Sequence, residues 1–216
     1  MKPETHPVGG FIYYSYVLTY VDDILVMHHD AMTPFNQINH FFKMNPESMG
    51  NPDIYLGVKL RKCTMNNGVE CWYLLASKYV QEAVRNVKNQ WSTAYPGIKW
   101  PRHADTPFMK YYLPELEISE DFNTEEANYY QSLICIVRWM IELGRIDMIT
   151  DVSILYSFLS IPRQGRLEAV FQIFAYLDNK HNARIVFDPT YPEVAHVNFR
   201  VCWIKHNPGI MFIVQI

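Results

Sequence analysis

Two runs of aromatic and β-branched residues, interrupted by an acidic pair, set the tightest constraint on how this chain folds. Residues 11–20 read Phe-Ile-Tyr-Tyr-Ser-Tyr-Val-Leu-Thr-Tyr, residues 24–27 read Ile-Leu-Val-Met, and Val21, Asp22 and Asp23 lie between them. Such runs read as strands apolar on both faces, so the pattern predicts a β-hairpin with Asp22 and Asp23 as its turn. A two-residue hairpin loop asks for positive φ, which favours Asn-Gly or Asp-Gly over Asp-Asp. A local rule broken inside a consistent pattern is where function is expected. Adjacent carboxylates set against apolar strands repel each other and lose hydration unless a cation or basic neighbours compensate them. Mg2+, commonly held by one or two carboxylates plus substrate phosphates, suits that need. A solvated acidic turn at a sheet edge is the plain structural alternative.

Beyond residue 30 the pattern alternates between helix and strand. Thr33-Pro34 reads as an N-cap and first-turn proline, and Phe35, Ile38, Phe41 and Phe42 form an apolar stripe, predicting a short helix over the sheet. Residues 54–60 and 71–75 read as a second hairpin around Asn67-Gly68. Ser77 is the expected cap of a helix reaching about Trp91, with Val80, Ala83, Val84 and Val87 on one face and Lys78, Gln81, Arg85 and Lys88 on another. That second face is the best local surface for phosphate, although such a stripe is ordinarily a solvated one. Prolines at 96, 101, 107 and 114 predict an irregular connection over 95–121. Asn123 with Glu126 reads as the capping box of a helix running to Gly144. Two more helices follow, one from about Ile146 to Pro162 and one carrying Leu167, Val170, Phe171, Phe174 and Leu177, and then a strand over 184–187. His28, His29 and Asp30 adjoin in a strand and so face alternate ways, predicting a solvated strand end and no shared metal. His103, His181, His196 and His206 have no evident partners.

Composition narrows the function classes. At 216 residues, 49% of them hydrophobic, the chain has enough apolar surface for one domain or two small ones. A net charge of −3 is unlike the basic excess of an autonomous nucleic-acid binder, so any grip on nucleic acid must be local. Cys63, Cys71, Cys135 and Cys202 show no Cys-x-x-Cys spacing, which argues against a zinc site or a disulfide framework and for a reduced, cytoplasmic or nuclear protein. No apolar run approaches the roughly 20 residues of a membrane span, and no signal peptide is read. Metalloprotease, phosphate-loop and nucleophile-elbow motifs are missing too.

The Tyr20-Val21-Asp22-Asp23 hairpin, over residues 11–27, resembles the active-site hairpin of reverse transcriptases of copia-type retrotransposons. Residues 53–60, Asp-Ile-Tyr-Leu-Gly-Val-Lys-Leu, look like that family's primer-grip hairpin, and residues 127–134 and 138–147 are similar to its downstream helical region. Residues 162–168 and 173–177 continue the match in the family's order, so the resemblance spans roughly 11–190. It implies an α+β fold: a partial right-hand polymerase palm of antiparallel hairpins with a packed helix, then a helical thumb and connection. The implied divisions are 1–62 for the palm part, 63–122 for the start of the thumb and a linker, 123–190 for the helical region, and 191–216 for a divergent tail. By the same resemblance Asp22 is the metal-binding carboxylate, Asp23 assists electrostatically and Val21 presses near the primer end. Tyr55, Leu56 and Gly57 form the primer grip, and Lys78, Arg85 and Lys88 contact nucleic acid. Two Mg2+ ions about 4 Å apart would serve attack of a primer hydroxyl on a deoxynucleotide. The implied partners are an RNA template, a DNA primer and components of a retroelement polyprotein, with no membrane. Family polymerases carry a further metal-binding aspartate and fingers residues before this hairpin, where the sequence offers at most ten residues. The chain alone is therefore expected to be inactive and to represent a truncated remnant. The apolar stretch 210–214 is an expected aggregation hazard unless it completes a sheet.

Two other classes stay open. One is a noncatalytic nucleic-acid-binding or retroelement-partner module working through Lys78, Arg85 and Lys88. The other is a metal-dependent phosphohydrolase on Asp22 and Asp23, with Asp30 and Asp53 as the nearest further carboxylates.

Overall fold

The structure is a computed structural model that describes residues 4–5, 7–10, 12–100, 104–187 and 210–215. His103, Cys202, His196, His206 and most of the divergent tail lie outside the described residues. The fold is mixed α+β with antiparallel strand pairs, and it divides into two units, Met1–Tyr73 with Val186–Ile216, and Leu74–Ile185.

In the first unit, β1 (Glu4–Thr5) and β2 (Ile12–Tyr13) form a short ribbon. Strands β3 (Tyr16–Tyr20) and β4 (Asp23–His28) form the hairpin that the apolar runs predict, in a register pairing Tyr20 with Asp23 and Tyr16 with Met27. The loop is therefore Val21-Asp22, one residue earlier than expected, and Asp23 is the first residue of β4. The two flanks also differ from the expectation of strands buried on both faces. β4 is buried over residues 23–26, whereas Val17, Leu18, Thr19 and Tyr20 of β3 are exposed. Alternation puts Ile24 and Val26 on one face of β4, where they pack with Ala31, Phe35 and Met44, and puts Asp23 and Leu25 on the other.

The helix over that face, α1 (Met32–Phe41), starts earlier than Thr33-Pro34 suggests, with Ala31 at its N-cap, while Thr33 donates its hydroxyl to Asp30 Oδ2 at 2.8 Å. Only Phe35 and Ile38 of its stripe reach the core; Phe41 and Phe42 are 78% and 68% exposed because the helix ends there and turns them away. His28 is no solvated strand end: it is buried, its Nε2 lies 3.0 Å from Glu4 Oε2, and its Nδ1 accepts from the Asp30 N–H at 2.8 Å. Strand β5 (Ile54–Tyr55) pairs with β6 (Val58–Thr64), which is followed through Asn66-Asn67-Gly68 by β7 (Glu70–Leu75), the strand in which the two units meet along the sequence. The remaining strands are β8 (Ile185–Phe187) and β9 (Ile210–Gln215). β9 pairs antiparallel with β4 from Asp23↔Gln215 to His28↔Ile210, so the apolar tail completes a sheet in the order β3-β4-β9.

The second unit is helical: α2 (Ser77–Ala94), α3 (Thr124–Glu142), α4 (Ile149–Tyr156) and α5 (Gln164–Asn179). α5 is the central helix, with Leu167, Ala169, Val170, Phe171, Ile173, Phe174, Ala175 and Leu177 all buried, as an apolar circumference requires. It packs against α2 and α3, and α3 packs against α4. The capping box at Asn123 and Glu126 forms as predicted, and α3 ends with Gly144 at φ +106°, where Arg145 N–H reaches back to Met140 O at 2.9 Å. The proline-rich connection is pinned along α5. Arg166 donates from Nε and Nη2 to Pro114 O at 3.3 and 3.1 Å, and Gly165 N–H donates to Ser119 Oγ at 3.0 Å in place of a local cap. No described helix is long and apolar enough to cross a membrane.

Arg145, 1% exposed, is held by two bonds to Asp147, Nε to Oδ1 at 2.9 Å and Nη2 to Oδ2 at 2.7 Å; Tyr176 donates its hydroxyl to the same Oδ2 at 2.7 Å. Burial pushes the Asp147 carboxyl up, but the hydrogen bonds from Arg145 and Tyr176 and the guanidinium charge outweigh it and hold the group below its ordinary value. Because the folded pKa is depressed, this stabilisation is complete above the unfolded value of about 3.9 and disappears as pH falls through the folded one. Asp147→Ala should lower stability at neutral pH by about 3 kcal/mol, since it strands a buried guanidinium. Urea denaturation at a series of pH values should find that difference shrinking below about pH 4.

Candidate functional site

Asp23, the first residue of β4 beside the acidic loop, and the loop of the β5–β6 hairpin meet through a hydrogen bond. Leu56 N–H donates to Asp23 Oδ2 at 3.3 Å, across 33 residues of sequence. Both loops are conformationally unusual. Val21 is at φ +52° in the first loop position, where glycine is the usual residue and a β-branched one is an outlier. In the second hairpin Tyr55 pairs with Val58, and both loop residues have positive φ, Leu56 at +52° and Gly57 at +77°. Gly57 serves that φ and not a close approach, for a Cβ added there would meet nothing within 4 Å. A non-glycine residue held in this region costs on the order of 1–3 kcal/mol and persists only where its surroundings fix it. The Asp23 bond fixes Leu56, because it satisfies the one backbone donor that the strained residue directs away from its own hairpin.

The two aspartates have separate environments. Asp23 is 8% exposed and Leu56 N–H is the hydrogen-bond partner of its carboxylate among the described residues; Asp22 is exposed at the loop, and its carboxylate has no ion pair or hydrogen bond there. Tyr55 lies close enough to feel Asp23. Burial first, and the Asp23 carboxylate second, push its phenol up. Val21 stands 88% exposed at the tip beside Asp22.

A pair of Mg2+ ions does not fit what surrounds these residues. Among the described residues no three His, Cys, Asp or Glu side chains are grouped to hold a metal ion. Asp23 already spends Oδ2 on Leu56, and two octahedral ions need more oxygen ligands than one further exposed carboxylate supplies. The other nearby carboxylates are engaged elsewhere: Asp30 accepts from Thr33, and Asp53 pairs with Arg61. No comparison with family models, curated proteins or solved structures returns a match.

The cationic face of α2 is also differentiated, within the helical unit. Lys78 and Arg85 are exposed, and Arg85 has no anionic partner among the described residues. Lys88 is not free: its Nζ donates to Asp178 Oδ2 at 2.6 Å and lies 5.9 Å from the Trp100 ring centre. The α2 helix starts without a side-chain cap; Ser77, expected there as the cap, instead shares a 2.9 Å hydrogen bond with His181 Nδ1. Gln81 Nε2 lies 3.3 Å from the same Nδ1, so His181 has partners that the sequence did not disclose. Gln81, Val84, Arg85, Lys88, Asp178 and His181 line an open groove of about 380 Å³ between α2 and α5. Asp178 and His181 escaped sequence reading because they lie about a hundred residues from α2. Only their spacing past the apolar stripe of α5 marks that end of the helix as facing Lys88.

Removing the Asp23 carboxylate leaves a partly buried N–H of a strained residue without its acceptor, so Asp23→Ala should cost about 1–3 kcal/mol in chemical denaturation. Asp22→Ala should stay within about 0.5 kcal/mol, as an exposed loop substitution does. Val21→Gly should be neutral or stabilising by about 1 kcal/mol, because it relieves the positive φ.

Proposed function

We propose that the chain is the part of a copia-type retrotransposon reverse transcriptase that carries the acidic turn and the primer grip, joined to the start of the helical thumb. The observation that supports this reading best is the bond between Asp23 and Leu56. The two sequence blocks that resemble the polymerase's acidic turn and primer grip lie 33 residues apart, and they meet turn to turn. On this reading the adjacent carboxylates divide their work. Asp22, exposed and uncompensated, is the group offered to a metal-bound nucleotide, and Asp23 orients the turn from beneath through Leu56. Val21 is the residue that meets the primer end, and Tyr55, Leu56 and Gly57 carry the primer strand. Mg2+ is the cation that this family reading implies; among the described residues the exposed Asp22 carboxylate at the turn does not by itself hold a pair of such ions.

A second reading, a noncatalytic nucleic-acid-binding module, draws on Lys78 and Arg85, which are exposed on the same helix as Lys88. Both readings expect contact with a primed RNA template and separate at the residues that make it, Val21 with Tyr55, Leu56 and Gly57 on the first and Lys78 with Arg85 on the second.

The chain by itself should bind a primed RNA template at low salt and incorporate no labelled deoxynucleotide. Incorporation that is lost in Asp22→Ala would overturn the incomplete-site reading. Failure to bind primed template at low salt would overturn both.

A further inference from the structure

The groove between α2 and α5 contains its own anion. Lys88 and Asp178 form a short charge-assisted bond at 2.6 Å, yet each side chain keeps more than a third of its surface exposed, 36% and 37%. Pairs this open are weak and exchange readily for a better partner. One helical turn back, Arg85 lines the same groove with no carboxylate on it among the described residues, so the described wall carries one paired and one unpaired cation. At the groove's other end His181 is held by Ser77 and Gln81. Ser77 Oγ lies 2.9 Å and Gln81 Nε2 3.3 Å from its Nδ1, so both ends of the groove are lined by polar side chains. Two cations, with Gln81 and His181 beside them, around 380 Å³ supply the charge and the room that phosphate oxygens take.

We infer that this groove binds phosphate oxyanions and that Asp178 is a built-in competitor, occupying on Lys88 the position a ligand phosphate takes. This deepens the nucleic-acid reading of α2 and rests on it in part, because the phosphate can belong to a nucleic-acid backbone or to a free polyphosphate. Binding exchanges the Asp178 carboxylate for a ligand oxygen on Lys88, while Arg85 provides the first, unopposed contact. The groove is thereby tuned to ligands that present several phosphates. A single phosphate gains little by displacing a carboxylate, whereas a polyanion reaches Arg85 and Lys88 together.

The test uses the full chain and two probes, a short single-stranded DNA and inorganic tripolyphosphate, titrated at several salt concentrations against wild type, Asp178→Asn, Arg85→Glu and the double variant. Asp178→Asn keeps the shape and removes the competing charge. It should tighten binding of at least one probe about three-fold and steepen the dependence of log affinity on log salt by up to about 0.7 to 0.9, the increment of one additional phosphate contact. Arg85→Glu should weaken binding and abolish the gain when combined with Asp178→Asn; circular dichroism confirms that each variant is folded. A gain with both probes or with DNA assigns the groove to nucleic acid. A gain with tripolyphosphate alone upholds the guarded groove and removes the nucleic-acid reading. DNA binding that Arg85→Glu weakens but Asp178→Asn leaves unchanged with both probes upholds the nucleic-acid surface and overturns the competitor. A gain that survives Arg85→Glu also overturns it, because the effect is then one of overall charge.

Discussion

Strand β4 is the constraint on which its unit depends. It is the strand buried on both faces, with Ile24 and Val26 against α1 and Leu25 and Asp23 on the opposite side, and it is hydrogen-bonded to β3 on one edge and β9 on the other. Because both faces are apolar, the residue that discriminates register is Asp23: a slip of one residue would turn it onto the face that packs with Ala31, Phe35 and Met44. That register makes Asp23 a strand residue and Val21-Asp22 the loop. The strain at Val21 follows from packing in the strand behind it.

The consequence for the site is a division of labour between two adjacent identical residues. A strand and the loop before it cannot offer neighbouring side chains the same surroundings, so Asp23 turns inward to Leu56 and Asp22 outward to solvent. On the proposed reading the inward residue orients and the outward one performs. The second unit repeats the theme with opposite charge: of the cations on α2, Lys88 is restrained by Asp178 and Arg85 is left open.

What was legible in the sequence is what periodicity encodes. The apolar runs around the acidic pair, the capping box at Asn123, the buried stripe of α5 and the hairpin around Asn67-Gly68 all follow from residue type and spacing, and the structure contains each of them. What was not legible depends on where an element stops or on what approaches from a distance. Phe41 and Phe42 fit a helical stripe but fall where α1 ends, so they are exposed. The exposure of β3 was hidden because Val17, Leu18 and Tyr20 have the composition of a buried strand. Ser77 has good capping chemistry, yet His181, brought in by the fold, takes up its hydroxyl, and Thr33 lies inside a helix that starts earlier and bonds to Asp30 three residues back. The meeting of Asp23 with Leu56 is a tertiary event that local pattern cannot specify.

The bond between the two turns is most directly examined by amide hydrogen exchange at Leu56. Leu56 lies in a two-residue hairpin loop and is only partly buried, so without an acceptor its N–H would exchange as fast as other loop amides. The account predicts that the Leu56 amide is protected in the native chain, stays protected in Asp22→Ala and loses its protection in Asp23→Ala. Rapid exchange in the native chain, or equal loss in the two variants, would contradict the claim that Asp23 joins the acidic turn to the second hairpin.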